Sequence, residues 1–339
     1  MRVMLVGRWG KAHALAKAIA KRADVHLTAV MDKVNPGIES VADEVEVFSL
    51  TDAEGLAELA RSRKADFVVV SPEMTLKQGI RRILAGMGIP CFGPPAKCTL
   101  LEADKVFARD LLSRRGLGVS PRYRSFDDPE EAVAHLRATD YPVAVKPAGV
   151  TEGDGVKVMG LQLEGCDEAA DYVREVFARN IGGRPSVIIE EKISGEEFSL
   201  QAFLDGRHVV GMPLVRDYKL LEEGEGGSNT PGMGSYSMPD HLLPTVDRDT
   251  YEQGLRVIED AMMAMREEFG ESYKGIITGQ FMLAESGLRL VEFNVRAGDS
   301  EILNLQPLLQ TDFMEICRTI EDQELDRIDI RFENKATVC

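Results

Sequence analysis

Cysteine is scarce, with five in 339 residues at positions 91, 98, 166, 317 and 339 and no C-x-x-C pair. That spacing excludes a disulfide framework, argues against a zinc site and fits a reducing cytoplasm. Long apolar runs are also missing. The opening MRVMLVGRWGK is too short in its apolar part for a secretory signal, and no stretch approaches the length that spans a bilayer. Positive charge is in deficit: 40 Lys and Arg stand against 56 Asp and Glu, a net charge of −16. Such a field repels nucleic-acid backbones and anionic lipid, so any bound phosphate must be met by local groups. The expectation is a soluble, cytoplasmic protein with neither nucleic acid nor membrane as partner. What is present, 44% hydrophobic and 28% charged residues without repeats or low-complexity linkers, describes a folded chain. At about 150 residues per domain it holds two or three domains.

Apolar runs at Val3 to Val6, Val25 to Met31, Val45 to Phe48, Phe67 to Val70 and Cys91 to Phe92 read as strands. Helix-like stretches near 11–22, 52–63 and 76–87 lie between them, which predicts an N-terminal parallel α/β domain over 1–96. After Gly93-Pro94-Pro95, one charged helix from Lys97 to Arg115 is expected, stopped at Gly116. Residues 121–193 alternate strand and helix as a small α+β unit. Segments 97–120 and 194–330 form the central part. Its expected strands are 198–204, 208–215, 276–283 and 288–295; its helices are 248–268, 301–309 and 312–321; a polar, Gly-rich loop covers 224–234. The closing RFENKATVC reads as the start of another strand, so 331–339 would open a further domain.

The stretch LRLVEFNVRAGDSE alternates Val291, Phe293 and Val295 with Glu292, Asn294 and Arg296. Side chains two apart share one face of a strand, so a carboxylate, an amide oxygen and a guanidinium stand in a row. That face is either a solvated one or a seat for a hard divalent ion, which takes a few protein oxygens and completes its shell with substrate phosphates. The preceding strand GQFML would pair with it across Glu285-Ser286-Gly287 and bring Gln280 to the same face; Asp299 and Glu301 lie close in sequence. In VAVKPAGVTEGDGVKV, Lys146 ends an apolar strand before a turn with Gly149, Gly153 and Gly155, either an ordinary hairpin or a phosphate-closing one. VIIEEKISGEEFSL leaves the small unit through Glu190, Glu191 and Glu197, an acidic turn or a place for an adenine edge and ribose hydroxyls. Gly7 and Gly10 mark a strand-to-helix turn whose amides favour an anion, with His13 either packing or binding there.

In this order the stretches resemble the ATP-grasp ligases, and within them the glycinamide ribonucleotide synthetase family. VVVSPEMTLKQGI, CFGPPAKCTLLEADKVFARDLL and EFNVRAGDSEILNLQPLLQTD resemble the family in order and spacing over nearly the whole chain. The resemblance implies an α/β and α+β multidomain fold: a parallel N-terminal domain, then an ATP-grasp fold with a small lid domain. It also implies a C-terminal domain beyond Cys339. Lys105 and Lys146 would contact phosphate, Glu190, Glu191, Lys192 and Ile193 would form the adenine hinge, and Glu197 would meet the ribose. Glu292 and Asn294, with Gln280, would ligate Mg²⁺ or Mn²⁺. Arg296, Asp299, Glu301, Asp217, Lys219, Asn229, Thr230, Gly232, Met233 and Gly234 would face the substrates, and Gly10 and His13 would receive a ribose phosphate.

The implied reaction joins glycine to 5-phosphoribosylamine. Glycine's carboxylate takes the γ-phosphate of the co-substrate ATP, and the amine then displaces phosphate, with Lys146 and Arg296 as catalytic charges. Trp9 stands where the family has glycine, Lys11 and Ala12 replace an Arg-Glu pair, and Asp154 replaces a lysine in the lid hairpin; Pro231 and Ser300 are milder departures. Another ATP-grasp ligase with a different amine, and a nucleotide-binding module without turnover, are the alternatives. A homodimer, or a partner in place of the C-terminal domain, is the expected assembly.

Overall fold

The computed structural model describes residues 1–149, 151, 155–223 and 226–339, without side chains at 226–229 and 231. Gly153 and Asp154 therefore lie outside the described residues, as do the side chains of Asn229 and Pro231.

The first unit alternates β1 (Arg2–Val6), α1 (Gly10–Ala20), β2 (His26–Met31), α2 (Pro36–Glu39), β3 (Glu44–Val47), α3 (Ala53–Ser62), β4 (Phe67–Val70), α4 (Glu73–Lys77), α5 (Ile80–Gly86) and β5 (Cys91–Phe92). Its sheet is parallel throughout, ordered β3-β2-β1-β4-β5. The strands are apolar on both sides because helices cover both faces: Val3 and Leu5 face one core, Met4 and Val6 the other. The expected helix 76–87 is two helices, because Gly79 takes the left-handed conformation (φ +79°), which costs a residue without Cβ little.

The expected single helix 97–115 is also broken. A 3-10 turn (Ala96–Thr99) leads into α6 (Leu100–Ala103) and then α7 (Lys105–Arg114). Asp104 leaves helical geometry and its carboxylate accepts from the Phe107 N–H at 3.0 Å, so an N-cap competes successfully with continuation of the helix. This break sets Lys105 at the start of α7, where its N–H donates to Ala148 O.

The small unit holds β6 (Tyr123–Phe126), α8 (Pro129–Ala138), β7 (Val143–Pro147), β8 (Lys157–Val158), α9 (Cys166–Ala178) and β9 (Val187–Glu191). Its antiparallel sheet is ordered β6-β9-β7-β8. Helix α8 begins with Pro129 in its first turn and Asp128 accepting from two amides.

Then follow β10 (Gly195–Leu204), β11 (Val209–Gly211), β12 (Arg216–Glu222), β13 (Gly226–Ser237), α10 (Arg248–Phe269), β14 (Gly275–Ala284), β15 (Gly287–Asn294), α11 (Glu301–Leu308), α12 (Phe313–Asp322) and β16 (Thr337–Val338). One sheet is ordered β11-β10-β14-β15 and another β12-β13-β16. The Gly-rich stretch expected as a loop is thus largely strand: β13 pairs antiparallel with β12. The terminal residues are not set apart either. Phe332 bridges Leu309, and β16 adds to β13. Among the described residues, no helix is long and apolar enough to cross a membrane.

Candidate functional site

Strands β14 and β15 pair with Gln280 opposite Glu292 and Thr278 opposite Asn294. The register then slips, with Phe281 opposite Leu290, so Val291 is an extra residue, a β-bulge. The expected apolar layer of 291, 293 and 295 is corrected accordingly. Leu288 and Leu290 are buried before the bulge, and Phe293 and Val295 after it. The change of parity keeps Glu292 and Asn294 together on the face away from that core.

The Glu292 carboxylate makes no hydrogen bond or ion pair with the described residues. Burial raises its carboxyl pKa, but Lys105, Lys219, Lys146 and Arg296 more than offset this and hold it below its ordinary value. The Asn294 amide oxygen accepts a long 3.4 Å hydrogen bond from Arg296. An ionised carboxylate without a direct partner beside an amide oxygen is a donor set that fits a hard divalent ion. Among the described residues no three His, Cys, Asp or Glu side chains converge on one point, so such an ion would draw most of its shell from substrate and water.

Lys146, at the end of β7, is buried and lies 2.7 Å from Glu190 Oε2. Arg109 of α7 grips the same carboxylate, Nε donating to Oε1 at 2.7 Å and Nη2 to Oε2 at 3.1 Å. Glu190 was expected at the hinge. It sits in an inner strand with Tyr123 and Ala144 on either side, and its side chain points at two cations. Burial pushes its carboxyl up, but Arg109 and Lys146 overcome that and hold it at about 2. The folded value lies below the ordinary 4.5, so this stabilisation is complete above pH 4.5 and is lost as pH falls towards 2. Glu190→Gln should therefore flatten that part of the acid-unfolding curve. A curve of unchanged steepness by circular dichroism would refute the assignment.

Beyond Glu190, Glu191 pairs with Arg122 at 3.3 Å and Lys192 Nζ donates to Met159 O at 3.0 Å. Ile193 follows outside the strand. Lys105 Nζ donates to Gly149 O at 2.9 Å, and burial lowers its pKa.

Across from Glu292, Lys219 Nζ lies 2.9 Å from Glu197 Oε1 and 3.4 Å from Asp217 Oδ2. Burial would lower its pKa, but Glu197 and Asp217 dominate and keep the ammonium charged. Gln280 Nε2 donates to Glu197 at 2.8 Å and to Asp217 at 3.0 Å, while its oxygen lies 2.9 Å from Ser199 Oγ. The Gln280 amide is thus engaged in tying carboxylates together. Glu301 Oε1 also lies 2.9 Å from Ser199 Oγ, and burial followed by Asp217 raises its pKa. On β13, Thr230 donates to Lys219 O at 2.7 Å, Gly232 N–H reaches Thr230 Oγ1, Met233 is exposed, and Gly234 stands opposite Tyr218.

Arg296 is held between Glu73 of α4 and Glu102 of α6, each at 3.1 Å. Asp299 accepts from the Lys11 N–H at 2.9 Å, at the amino end of α1. A Cβ on Gly10 would come within 2.7 Å of Asp299 Oδ1, so a larger residue there would displace the Asp299 carboxylate. Trp9 precedes it with the Arg8 guanidinium stacked at 4.5 Å. His13 is not gathered into this group: its ring lies against Gly37 of α2. Sequence reasoning missed Arg109, Ser199, Glu73 and Glu102. Arg109 and Glu102 carried one faint signal, a charge one turn or less from Lys105.

Two family models match the chain: the phosphoribosylglycinamide synthetase N domain over residues 1–102 and the ATP-grasp (A) domain of the same synthetase over 103–302. The phosphoribosylamine–glycine ligase of Methanopyrus kandleri is 43% identical over 341 residues, covering all of this chain and 76% of that relative. Among solved structures, the phosphoribosylamine–glycine ligase of Thermotoga maritima superimposes with a TM-score of 0.76 at 24% identity, covering 95% of this chain and 76% of that one. The biotin carboxylase domain of Hydrogenobacter thermophilus 2-oxoglutarate carboxylase, solved with magnesium ADP, gives 0.74 at 19% identity over 99% of this chain and 73% of that one.

Proposed function

The chain belongs to the phosphoribosylglycinamide synthetase family, and we propose that it joins glycine to 5-phosphoribosylamine using ATP, giving glycinamide ribonucleotide, ADP and phosphate. The observation that carries this reading is the convergence of Lys105, Lys146, Lys219 and Arg296 on Glu292, from the start of α7, from β7, from β12 and from the segment after β15. Those cations suit an anionic polyphosphate next to an oxygen seat for a metal. Glu292 and Asn294 would hold Mg²⁺ or Mn²⁺, which when bound neutralises charge on the ATP phosphates.

Lys105 and Lys146 meet the phosphates, the segment Glu191 to Ile193 borders the adenine, and Glu197 reaches the ribose, with Glu190 supporting from behind. Glycine's carboxylate oxygen attacks the γ-phosphorus and ADP leaves, giving glycyl phosphate. The ribosylamine nitrogen then attacks the acyl carbon, phosphate departs and the amine loses its proton. No side-chain nucleophile is needed; Arg296 and Lys219 orient the carboxylate and stabilise developing charge. Asp217, Glu301, Asp299 and the β13 segment around Asn229, Thr230, Gly232, Met233 and Gly234 border the reacting substrates. Gly10, with the amides of α1, faces the ribose phosphate.

We infer domains over 1–96, over 97–120 with 194–330, and over 121–193, a cytoplasmic location and a homodimer. The purified chain should release phosphate from ATP only when glycine and freshly formed phosphoribosylamine are both supplied. Phosphate release that needs glycine but ignores phosphoribosylamine would point instead to a different amine, a reading that the Arg8–Trp9 stack at the mouth of α1 favours.

A further inference from the structure

Arg109 is buried and has no direct bond to Lys105, Lys146, Lys219, Arg296 or Glu292; the carboxylate it grips, Glu190, is the one that holds Lys146. The rest of its guanidinium is used elsewhere. Nη1 donates to Leu290 O at 2.9 Å and Nη2 to Val291 O at 2.7 Å. These are the carbonyls at the bulge of β15, immediately before Glu292. A bulged residue leaves the ladder, and its carbonyl needs a donor once buried. Arg109 supplies that donor, and the bulge is what turns Glu292 away from the core that takes Leu290.

We propose that Arg109 is a positioning residue: one buried guanidinium fixes Lys146, through Glu190, and Glu292, through the bulge at Val291, at a set distance from each other. The inference rests on reading Lys146 and Glu292 as groups of the ATP site. A planar fork with five donors can serve two carboxylate oxygens and two carbonyls at once, whereas an ammonium cannot. The geometry thus links the small sheet, which carries Lys146, to the central sheet, which carries Glu292, through a side chain that meets neither nucleotide nor metal.

The test is calorimetric ATP binding by the full chain, first without divalent metal and then across a Mg²⁺ titration, for the parent, Arg109→Lys and Glu190→Gln. Arg109→Lys should weaken metal-free ATP binding and raise the Mg²⁺ concentration that half-restores tight binding, each by about tenfold or more, as loss of a supporting contact does. Lys146→Ala should then weaken ATP binding less in the Arg109→Lys background than in the parent. Glu190→Gln should weaken metal-free binding but leave the Mg²⁺ midpoint near the parent's, because the bonds to Leu290 and Val291 remain. A purely structural role would lower the melting temperature and move neither midpoint. Folded Arg109→Lys protein with parental ATP affinity and Mg²⁺ midpoint would overturn the proposal. If Arg109→Lys fails to fold, unchanged ATP affinity in Glu190→Gln would overturn it as well. A parent that binds ATP yet releases no phosphate with both substrates sinks the ligase reading and leaves this comparison standing; a parent that binds no ATP sinks both.

Discussion

Glu292→Ala should reduce substrate-dependent phosphate release by on the order of 100-fold or more, the loss that follows when a metal ligand or its immediate support is removed. Glu292 is the carboxylate on which Lys105, Lys219, Lys146 and Arg296 converge. Removing it deletes the anionic half of the Glu292–Asn294 oxygen pair and leaves four cations facing one another. Binding and turnover should therefore part company. ATP carries its own negative charge into the cluster, so metal-free ATP affinity should hold or strengthen, while the dependence on Mg²⁺ should flatten. Phosphate release measured with both substrates, beside calorimetry with and without Mg²⁺, reads the two effects separately. Glu292→Asp keeps the charge but withdraws the oxygens, and should fall between. Turnover within twofold of the parent in Glu292→Ala would falsify the assignment of this strand to the metal.

The part of this site that was legible in the sequence is the part written in short-range pattern. Glu292 and Asn294 show as a polar face two residues apart, and β14 pairs with β15 as the Glu285-Ser286-Gly287 turn implies. Helix α8 is equally readable, because Asp128 and Pro129 are local start signals. What was not legible depends on partners distant in sequence. The bulge at Val291 cannot be seen in the alternation, since a period of two continues through 291, 293 and 295 on paper. It becomes visible only through the register with β14 and the donors from Arg109, 182 residues away from Val291. Glu73 and Glu102 were hidden for the same reason: each comes from an ordinary helix, and only the return of the chain at Arg296 gives them a role. Asp104 is a failure of another kind. Its capping of α7 is local, but a carboxylate within a run of charged helix formers reads equally well as surface.

Arg296→Met should destabilise the chain by about 3–5 kcal/mol, the cost of stranding buried charge when one member of a pair is removed. The guanidinium lies 3.1 Å from both Glu73 and Glu102, so two carboxylates lose their cation together. Glu73 keeps a second partner, Lys11 at 3.7 Å. Glu102 does not: its other oxygen accepts from the Val295 N–H at 2.8 Å, and burial already raises its pKa. Most of the penalty should therefore reside at Glu102. Glu102→Gln neutralises that charge while its amide oxygen still accepts from Val295, so the double variant Arg296→Met with Glu102→Gln should recover roughly half or more of the lost stability. Activity should not return with it, because the charge that Arg296 is proposed to offer the reacting carboxylate remains absent. Chemical unfolding of the parent, the two single variants and the double variant, beside phosphate release for each, separates the two roles. A double variant as unstable as Arg296→Met would place the penalty elsewhere than Glu102. One that regained turnover would reduce Arg296 to a structural tie between α4, α6 and β15.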